Sequence, residues 1–272
     1  MAPSDAEVSF TKMEGCGNDY LFVDAVDATF PTARAPALAR AWSDRRFGVG
    51  ADGLIVLGRD ADRELRMSMW NADGSRGAMC GNGLRCLAKF AAARGHAPGR
   101  AFVVRTDAGP RGVALLDDGG VRAEMGEVTV GEPVVVEVAG RSLTIVPGDA
   151  GNPHAVIFVE DVDQAPVDAV GAALQSHPRF AGGVNVEFVQ VLDRSAVAQR
   201  TYERGSGETL ACGTGAAVVA RAARLAGAVR GAAVRVELRG GALTVRGAGA
   251  SLAIEGPART VFSGRISLRS AT

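Results

Sequence analysis

Short apolar, β-branched runs recur along the chain, and runs of this length read as strands. They cover residues 21–23, 54–57, 134–138, 143–146, 155–159, 186–191, 233–238, 243–245, 252–255 and 260–268. Two segments break the pattern. Residues 84–90 and 216–221 are apolar and Ala-rich with basic residues interspersed, which predicts helices. The mixture reads as an α+β protein.

The pattern also repeats. A Gly-Asn pair leads into a strand at Gly17-Asn18 and again at Gly151-Asn152, an offset of 134. The strand starting at Gly53 has its partner in the run starting at Val186, at an offset of about 133. The segment Met79-Cys80-Gly81-Asn82-Gly83 and its helix recur as Ala211-Cys212-Gly213-Thr214-Gly215 and a second helix, at an offset of 132. Three paired segments in one order predict two similar halves, each with strands, a Cys-Gly-x-Gly turn and a helix. Residues 1–124 form the half with Cys80, and residues 125–259 the half with Cys212. The run at 260–268 has no counterpart at the end of the first half. The expectation is that residues 260–272 cross back to complete the first sheet.

Composition narrows the function. The chain has 272 residues, 47% hydrophobic and 22% charged, with 30 basic and 30 acidic side chains. That balance, with no long basic run, argues against nucleic-acid binding. No stretch approaches the roughly 18 apolar residues of a membrane span, and residues 1–12 do not read as a signal peptide. A cytoplasmic protein is the expectation. Four cysteines are too few for a disulfide scaffold, and no Cys-x-x-Cys occurs. His96, His154 and His177 do not fall into zinc-ligand spacing, so no metal is expected.

The two Cys-Gly-x-Gly turns suggest a chemistry. A helix N-terminus leaves N–H groups unpaired, carries partial positive charge and binds anions such as carboxylates. It also favours the thiolate of a cysteine placed there. Inverting a stereocentre at Cα needs a base on one face and an acid on the other, and a thiolate and a thiol suit these roles. The helix ends would hold the substrate carboxylate and stabilise the charge it gains as the proton leaves. No cofactor is then needed. Cys16 and Cys86 stand outside this repeat and read as buried small hydrophobes.

At this point a family is recognisable. The segments 12–20, 48–53, 71–75 and 79–83, together with Gly151-Asn152-Pro153-His154, residues 203–209 and Cys212-Gly213-Thr214-Gly215, resemble those of diaminopimelate epimerase, in order, over about residues 9–266. The resemblance implies interconversion of LL- and meso-diaminopimelate in lysine and peptidoglycan-precursor synthesis. It also implies a homodimer of chains with two pseudo-symmetric domains, each a curved, mostly antiparallel sheet around a central helix, the substrate closed between them. Cys80 and Cys212 match the family's catalytic cysteines, and His154 and Glu203 its polar pair beside the reacting centre. Asn18, Asn71, Asn152, Asn185 and Arg204 match substrate-binding positions. Gly81, Asn82, Gly213 and Thr214 match the backbone N–H groups that hold the reacting carboxylate. Arg204 offers a guanidinium fork for the distal carboxylate, and asparagines offer paired donors and acceptors. Glu203 lies nine residues before Cys212, as Asn71 lies nine before Cys80.

Four positions depart from the family's pattern. Glu14 stands where many members have histidine, Cys16 where leucine is common, Gly53 where some members have a substrate-contacting glutamine, and Arg76 where an acidic residue is frequent. Cys16, next to the Asn18 turn, is a possible third thiol near the site. Gly48-x-Gly50-x-x-Gly53 fits the dinucleotide-binding glycine pattern, but it leads into a strand rather than a helix, which argues against a nucleotide. The nearest rival reading is a racemase or isomerase of the same fold acting on another amino acid, which Arg204 and Asn71, as a set for a distal group, argue against. A thiol redox protein and a non-catalytic amino-acid-binding protein are the rivals from other classes. The redox protein lacks a Cys-x-x-Cys motif, and the binding protein needs only one of the two cysteine turns.

Overall fold

The computed structural model describes residues 7–268. It divides into two compact units, one running through Ala123 and resuming at Pro257, the other Glu124–Gly256. The first unit contains β1 (Glu7–Gly15), β2 (Asn18–Asp24), α1 (Ala35–Ser43), β3 (Gly53–Arg59), β4 (Leu65–Asn71), β5 (Arg76–Gly77), α2 (Gly81–Ala93), β6 (Ala101–Thr106), β7 (Gly109–Leu115) and the start of β8 (Val121–Glu127). The second contains β9 (Thr129–Val130), β10 (Val134–Val138), β11 (Arg141–Asp149), β12 (Pro153–Phe158), α3 (Val167–Gln175), β13 (Asn185–Val191), β14 (Ala196–Glu203), β15 (Gly207–Thr209), α4 (Gly213–Leu225), β16 (Ala233–Leu238), β17 (Gly241–Arg246) and β18 (Ser251–Gly256). Then β19 (Arg259–Ser267) returns to the first unit.

The two sheets share a topology. In the first, β1 lies antiparallel between β19 and β2, β2 pairs parallel with β3, β3 antiparallel with β4, β4 parallel with β6, and β6–β7–β8 form a meander. In the second, β10–β11–β12 are antiparallel, β12 pairs parallel with β13, β13 antiparallel with β14, β14 parallel with β16, and β16–β17–β18 form the meander. This register sharpens the repeat. Tyr20 faces Gly53 across β2–β3 as His154 faces Asn185 across β12–β13, so the partner of Gly53 is Asn185, not Val186.

Each central strand is covered on both faces, which explains its near-continuous apolar run. Alternation along β3 sends Leu54 and Val56 to the α1 side, into a core with Leu38, Trp42 and Trp70. Ile55 points the other way, toward the start of α2. Along β13, Val186 and Phe188 join Val170 and Leu174 of α3. Helix α2 buries most of its length against β1, β2, β3 and β7, as α4 does against β11, β12, β13 and β17. The α+β class and the helix after each cysteine turn are as expected. Strands β1, β4–β9, β14 and β15 and helices α1 and α3 are additions, and of these the two helices are the least legible. Both are short, α1 starts on a Pro-containing turn, and α3 carries a mid-helix glycine, so their local signals are weak. That glycine, Gly171, has a packing cause, because an added Cβ would collide with the ring of Tyr202.

Candidate active site

Both repeated cysteines cap helices. Cys80 is the N-cap of α2, with φ −132° and ψ 124°, and its sulfur accepts the Gly83 amide at 3.5 Å. Cys212 is the N-cap of α4, with φ −116° and ψ 111°, and its sulfur accepts the Gly215 amide at 3.3 Å. The first helical bonds return to the cysteine carbonyls, from Leu84 N at 2.8 Å and Ala216 N at 3.0 Å. Sulfur thus takes the place of the usual Ser or Asp oxygen at an N-cap and sits in the positive field of the helix end. The glycine three residues on is closely packed in both turns. A Cβ on Gly83 would lie 2.6 Å from Ile55 Cδ1, and one on Gly215 would lie 2.5 Å from Glu187 Oε1.

In the first unit the Cys80 thiol donates to Asn18 Oδ1 at 3.4 Å, and Asn82 Nδ2 donates to the same oxygen at 3.4 Å. Asn18 in turn donates to Asp52 Oδ2 at 2.6 Å, which also accepts the Asp19 amide at 3.0 Å. Arg45 bridges Asp19 and Asp52. Arg45 and Lys12 hold the Asp19 carboxyl below its ordinary range although burial opposes them, while burial raises that of Asp52. Beneath the turn lies Arg85, fully buried, donating to Asn82 Oδ1 at 2.9 Å, Pro257 O at 3.3 Å and Gly81 O at 3.4 Å. The guanidinium therefore supports the asparagine that meets Asn18.

The second unit builds its site from different side chains. Cys212 is 5% exposed, and its sulfur lies 3.4 Å from Thr214 Oγ1. His154, fully buried on β12, places Nδ1 2.7 Å from Glu187 Oε1 and Nε2 3.0 Å from Asn152 Oδ1. Gln199 and Thr201 lie buried on β14, and Gln199 Nε2 donates to Thr201 Oγ1 at 2.8 Å. Thr209 donates to Glu203 Oε1 at 2.6 Å. The Cys212 thiol titrates well above its ordinary range, through burial first and then through the negative charges of Glu203 and Glu187, which outweigh the bonds from Thr214 and Gly215. One ligand atom each from His154, Glu187 and Cys212 lies within 4.8 Å of the others, a nitrogen–oxygen–sulfur set of the kind zinc accepts. Local spacing in the sequence could not reveal this group, because three separate elements supply it.

This geometry has close relatives in sequence. The profile of the family described as diaminopimelate epimerase matches residues 10–131 and 148–261. The chain belongs to the diaminopimelate epimerase family. It is 39% identical over 282 residues to the diaminopimelate epimerase of Leptospira biflexa, covering 96% of this chain and 100% of that protein. It is 42% identical over 280 residues to that of Alkalilimnicola ehrlichii, covering 96% and 99%. Among solved structures, a PhzF-family phenazine biosynthesis protein of Bacillus anthracis matches with a TM-score of 0.76 at 15% identity, covering 97% of this chain and 100% of that one. A hydroxyproline epimerase of Agrobacterium vitis matches with a TM-score of 0.73 at 17% identity, covering 98% and 94%. At such identities these two report the fold alone.

Within the diaminopimelate epimerase fold, the site residues expected from sequence fall into local groups. Cys80, Asn18 and Asn82 share one hydrogen-bonded cluster, with Gly81 in the same turn. Asn71 ends β4 and gives its side chain to Ser75 Oγ at 2.9 Å. In the second unit Cys212 and Thr214 touch, and His154 meets Asn152. Asn185 accepts the Arg204 amide at 2.9 Å, while the Arg204 side chain is exposed. Gly213 begins α4 and is buried.

The four departures find local explanations. Glu14 accepts the Gly17 amide at 2.9 Å and steadies the turn before Asn18. Cys16 is fully buried at φ 54°, with Arg85 Nη2 4.0 Å from its sulfur, so the third thiol near the site is enclosed rather than open to oxidants. Gly53 has no room for a side chain, since a Cβ would run into the Trp70 carbonyl. Arg76 bonds Asp107 at 2.6 Å and lies 4.4 Å over the Trp70 ring. Glu187 is the residue that sequence reading missed. Its signal was present: a glutamate inside the apolar run of β13, on the face shared with Asn185.

Proposed function

We propose that this protein interconverts LL- and meso-diaminopimelate without a cofactor, moving the Cα proton between Cys80 and Cys212. Family membership supplies the substrate. The observation that carries the mechanism is that each cysteine caps its own helix with sulfur bonded to the third helical amide. One sulfur removes the proton as thiolate and the other returns one as thiol. The Gly81, Asn82, Gly213 and Thr214 amides at the two helix ends hold the reacting carboxylate and stabilise its growing charge. His154 and Glu203 act beside Cys212. Asn18, Asn71, Asn152, Asn185 and Arg204 hold the ammonium groups and the distal carboxylate. Residues 1–124 with the returning strand, and residues 125–259, are the two catalytic halves.

The same reading makes the enzyme a cytoplasmic homodimer in lysine and peptidoglycan-precursor synthesis. No helix among the described residues is long and apolar enough to cross a membrane, in keeping with that placement. The test is incubation of reduced protein with LL-diaminopimelate in D₂O, following deuterium uptake at Cα and meso product together. Uptake with meso formation is the expected result, and Cys80→Ser and Cys212→Ser should each lower turnover by about 10²- to 10⁴-fold, the range for loss of an acid–base group. Folded protein with neither exchange nor product refutes the substrate. Full turnover by both serine variants refutes the two-cysteine mechanism.

A further inference from the structure

Glu187 is a buried carboxylate in an otherwise apolar strand. Its residue is fully buried, as is His154, and Oε1 lies 2.7 Å from His154 Nδ1. The other oxygen, Oε2, is buried with no hydrogen-bond partner among the described residues. Burying a carboxylate this way costs several kcal/mol unless a partner compensates. The structural repeat gives a control for what the position needs. In the first unit Ile55 stands where Glu187 does, Met67 where Gln199 does, and Tyr20 where His154 does. The fold accepts an apolar residue here without difficulty, as Ile55 against Gly83 shows. The carboxylate occurs in the unit where a histidine stands across the parallel pair. Its oxygen also occupies the space left by the absent Cβ of Gly215, in the first turn of the Cys212 helix.

We infer that Glu187 is a positioning residue for the reaction: it keeps Nδ1 of His154 protonated and turns the ring so that its Nε2 lone pair faces the substrate and the Asn152 amide, which, turned end for end, donates Nδ2–H to it. This rests on the epimerase reading above. A histidine with Nδ1–H held by a carboxylate has one fixed ring orientation and one defined nitrogen for chemistry. Glutamine at 187 preserves shape and burial but can donate to Nδ1. That would allow the opposite tautomer, with Nε2–H donated to Asn152 Oδ1.

The test uses ¹⁵N-histidine labelling of the whole protein. The chain has three histidines, so His96→Gln and His177→Gln variants assign the His154 signals by elimination. Nδ1 of His154 is expected to be protonated in the wild type and to lose its proton to Nε2 in Glu187→Gln. With LL-diaminopimelate, Glu187→Gln is expected to keep its KM and lose about 10- to 100-fold in kcat, the usual size for a lost orienting partner. A bare Nδ1 in wild-type protein overturns the proposal, as does a Glu187→Gln enzyme with wild-type kcat. Should Glu187→Gln fail to fold, the wild-type spectrum decides alone. Wild-type protein that turns over no diaminopimelate refutes the epimerase reading instead, and the spectrum still decides whether Glu187 holds the ring.

Discussion

The units carrying Cys80 and Cys212 share strand order, register and a cysteine N-cap, yet they surround the sulfur with opposite chemistry. Against Gly83 the first unit sets the methyl groups of Ile55 and Met67, and against Gly215 the second sets the polar ends of Glu187 and Gln199. The first unit buries a cation, Arg85, where the second has Ala217. The second buries Glu187, an acid, where the first has Ile55. Arg85 attracts negative charge on the Cys80 sulfur, whereas Glu203 and Glu187 oppose it on Cys212. The difference teaches that the backbone repeat supplies only the cap and its amides. What distinguishes one sulfur from the other is set by a few side chains beneath each turn, and these have diverged while the scaffold has not.

The hardest way to break this comparison is to give the first unit the floor of the second. Ile55→Glu would bury a carboxylate opposite Tyr20 instead of a histidine. The expected loss is about 3–5 kcal/mol, the cost of an uncompensated buried charge, read as a large fall in Tm. An Ile55→Glu protein as stable as the wild type would show that the histidine is not what makes the acid tolerable in the second unit.

A smaller effect separates the two glycines. Gly83→Ala and Gly215→Ala both add a methyl group to a filled space and should each cost about 1–3 kcal/mol. In the first unit the added methyl displaces Ile55, which has no chemistry to lose. In the second it displaces the Glu187 carboxylate from His154. Gly215→Ala should therefore lose about tenfold more kcat than Gly83→Ala at similar Tm. Equal losses in kcat would mean that the polar floor does not matter to turnover.

The mildest test reads the thiols directly by alkylation with iodoacetamide and mass spectrometry of each cysteine peptide. Cys80 is partly exposed and should react first. Cys212 is buried and its thiol is held above the ordinary range, so it stays protonated near neutral pH and reacts slowly. Glu203→Gln removes the leading negative charge on Cys212, lowers its pKa and raises its thiolate fraction. Its alkylation should quicken near neutral pH while Cys80 is unaffected. Cys86, pushed up to about 12 by burial, and Cys16, raised by the same cause, should stay unlabelled. A slower Cys212 in Glu203→Gln would contradict the electrostatic account.

Much of this was legible in the sequence, and the parts that were not share a cause. The repeat showed because each cysteine turn is a contiguous motif whose glycines are needed for close packing. Ten strands showed because covered strands need apolar, β-branched runs, whereas β1, β4, β6, β7, β8 and β14 carry charged residues along their length and did not, and β5, β9 and β15 are too short to read. Helices α1 and α3 were missed because their stability comes from tertiary cores around Trp42 and around Val170 and Leu174, not from local propensity. Glu187 was missed for a related reason. Its partner His154 sits on the neighbouring strand, and a parallel pairing between β12 and β13 cannot be read from either run alone. Register also decided the fine correspondence of the halves, pairing Gly53 with Asn185.

The return of β19 to β1 bears on how the chain is made. Strand β1 is held between β2 and β19, and the Thr11 and Ser263 hydroxyls meet across the second of these pairings at 2.9 Å. On the ribosome β1 emerges early, while β19 follows only after the whole of Glu124–Gly256. At cellular rates of elongation that interval is on the order of ten seconds. Throughout it the outer side of β1 is an unpaired edge, open to other strands. The unit synthesised first is therefore the last to close.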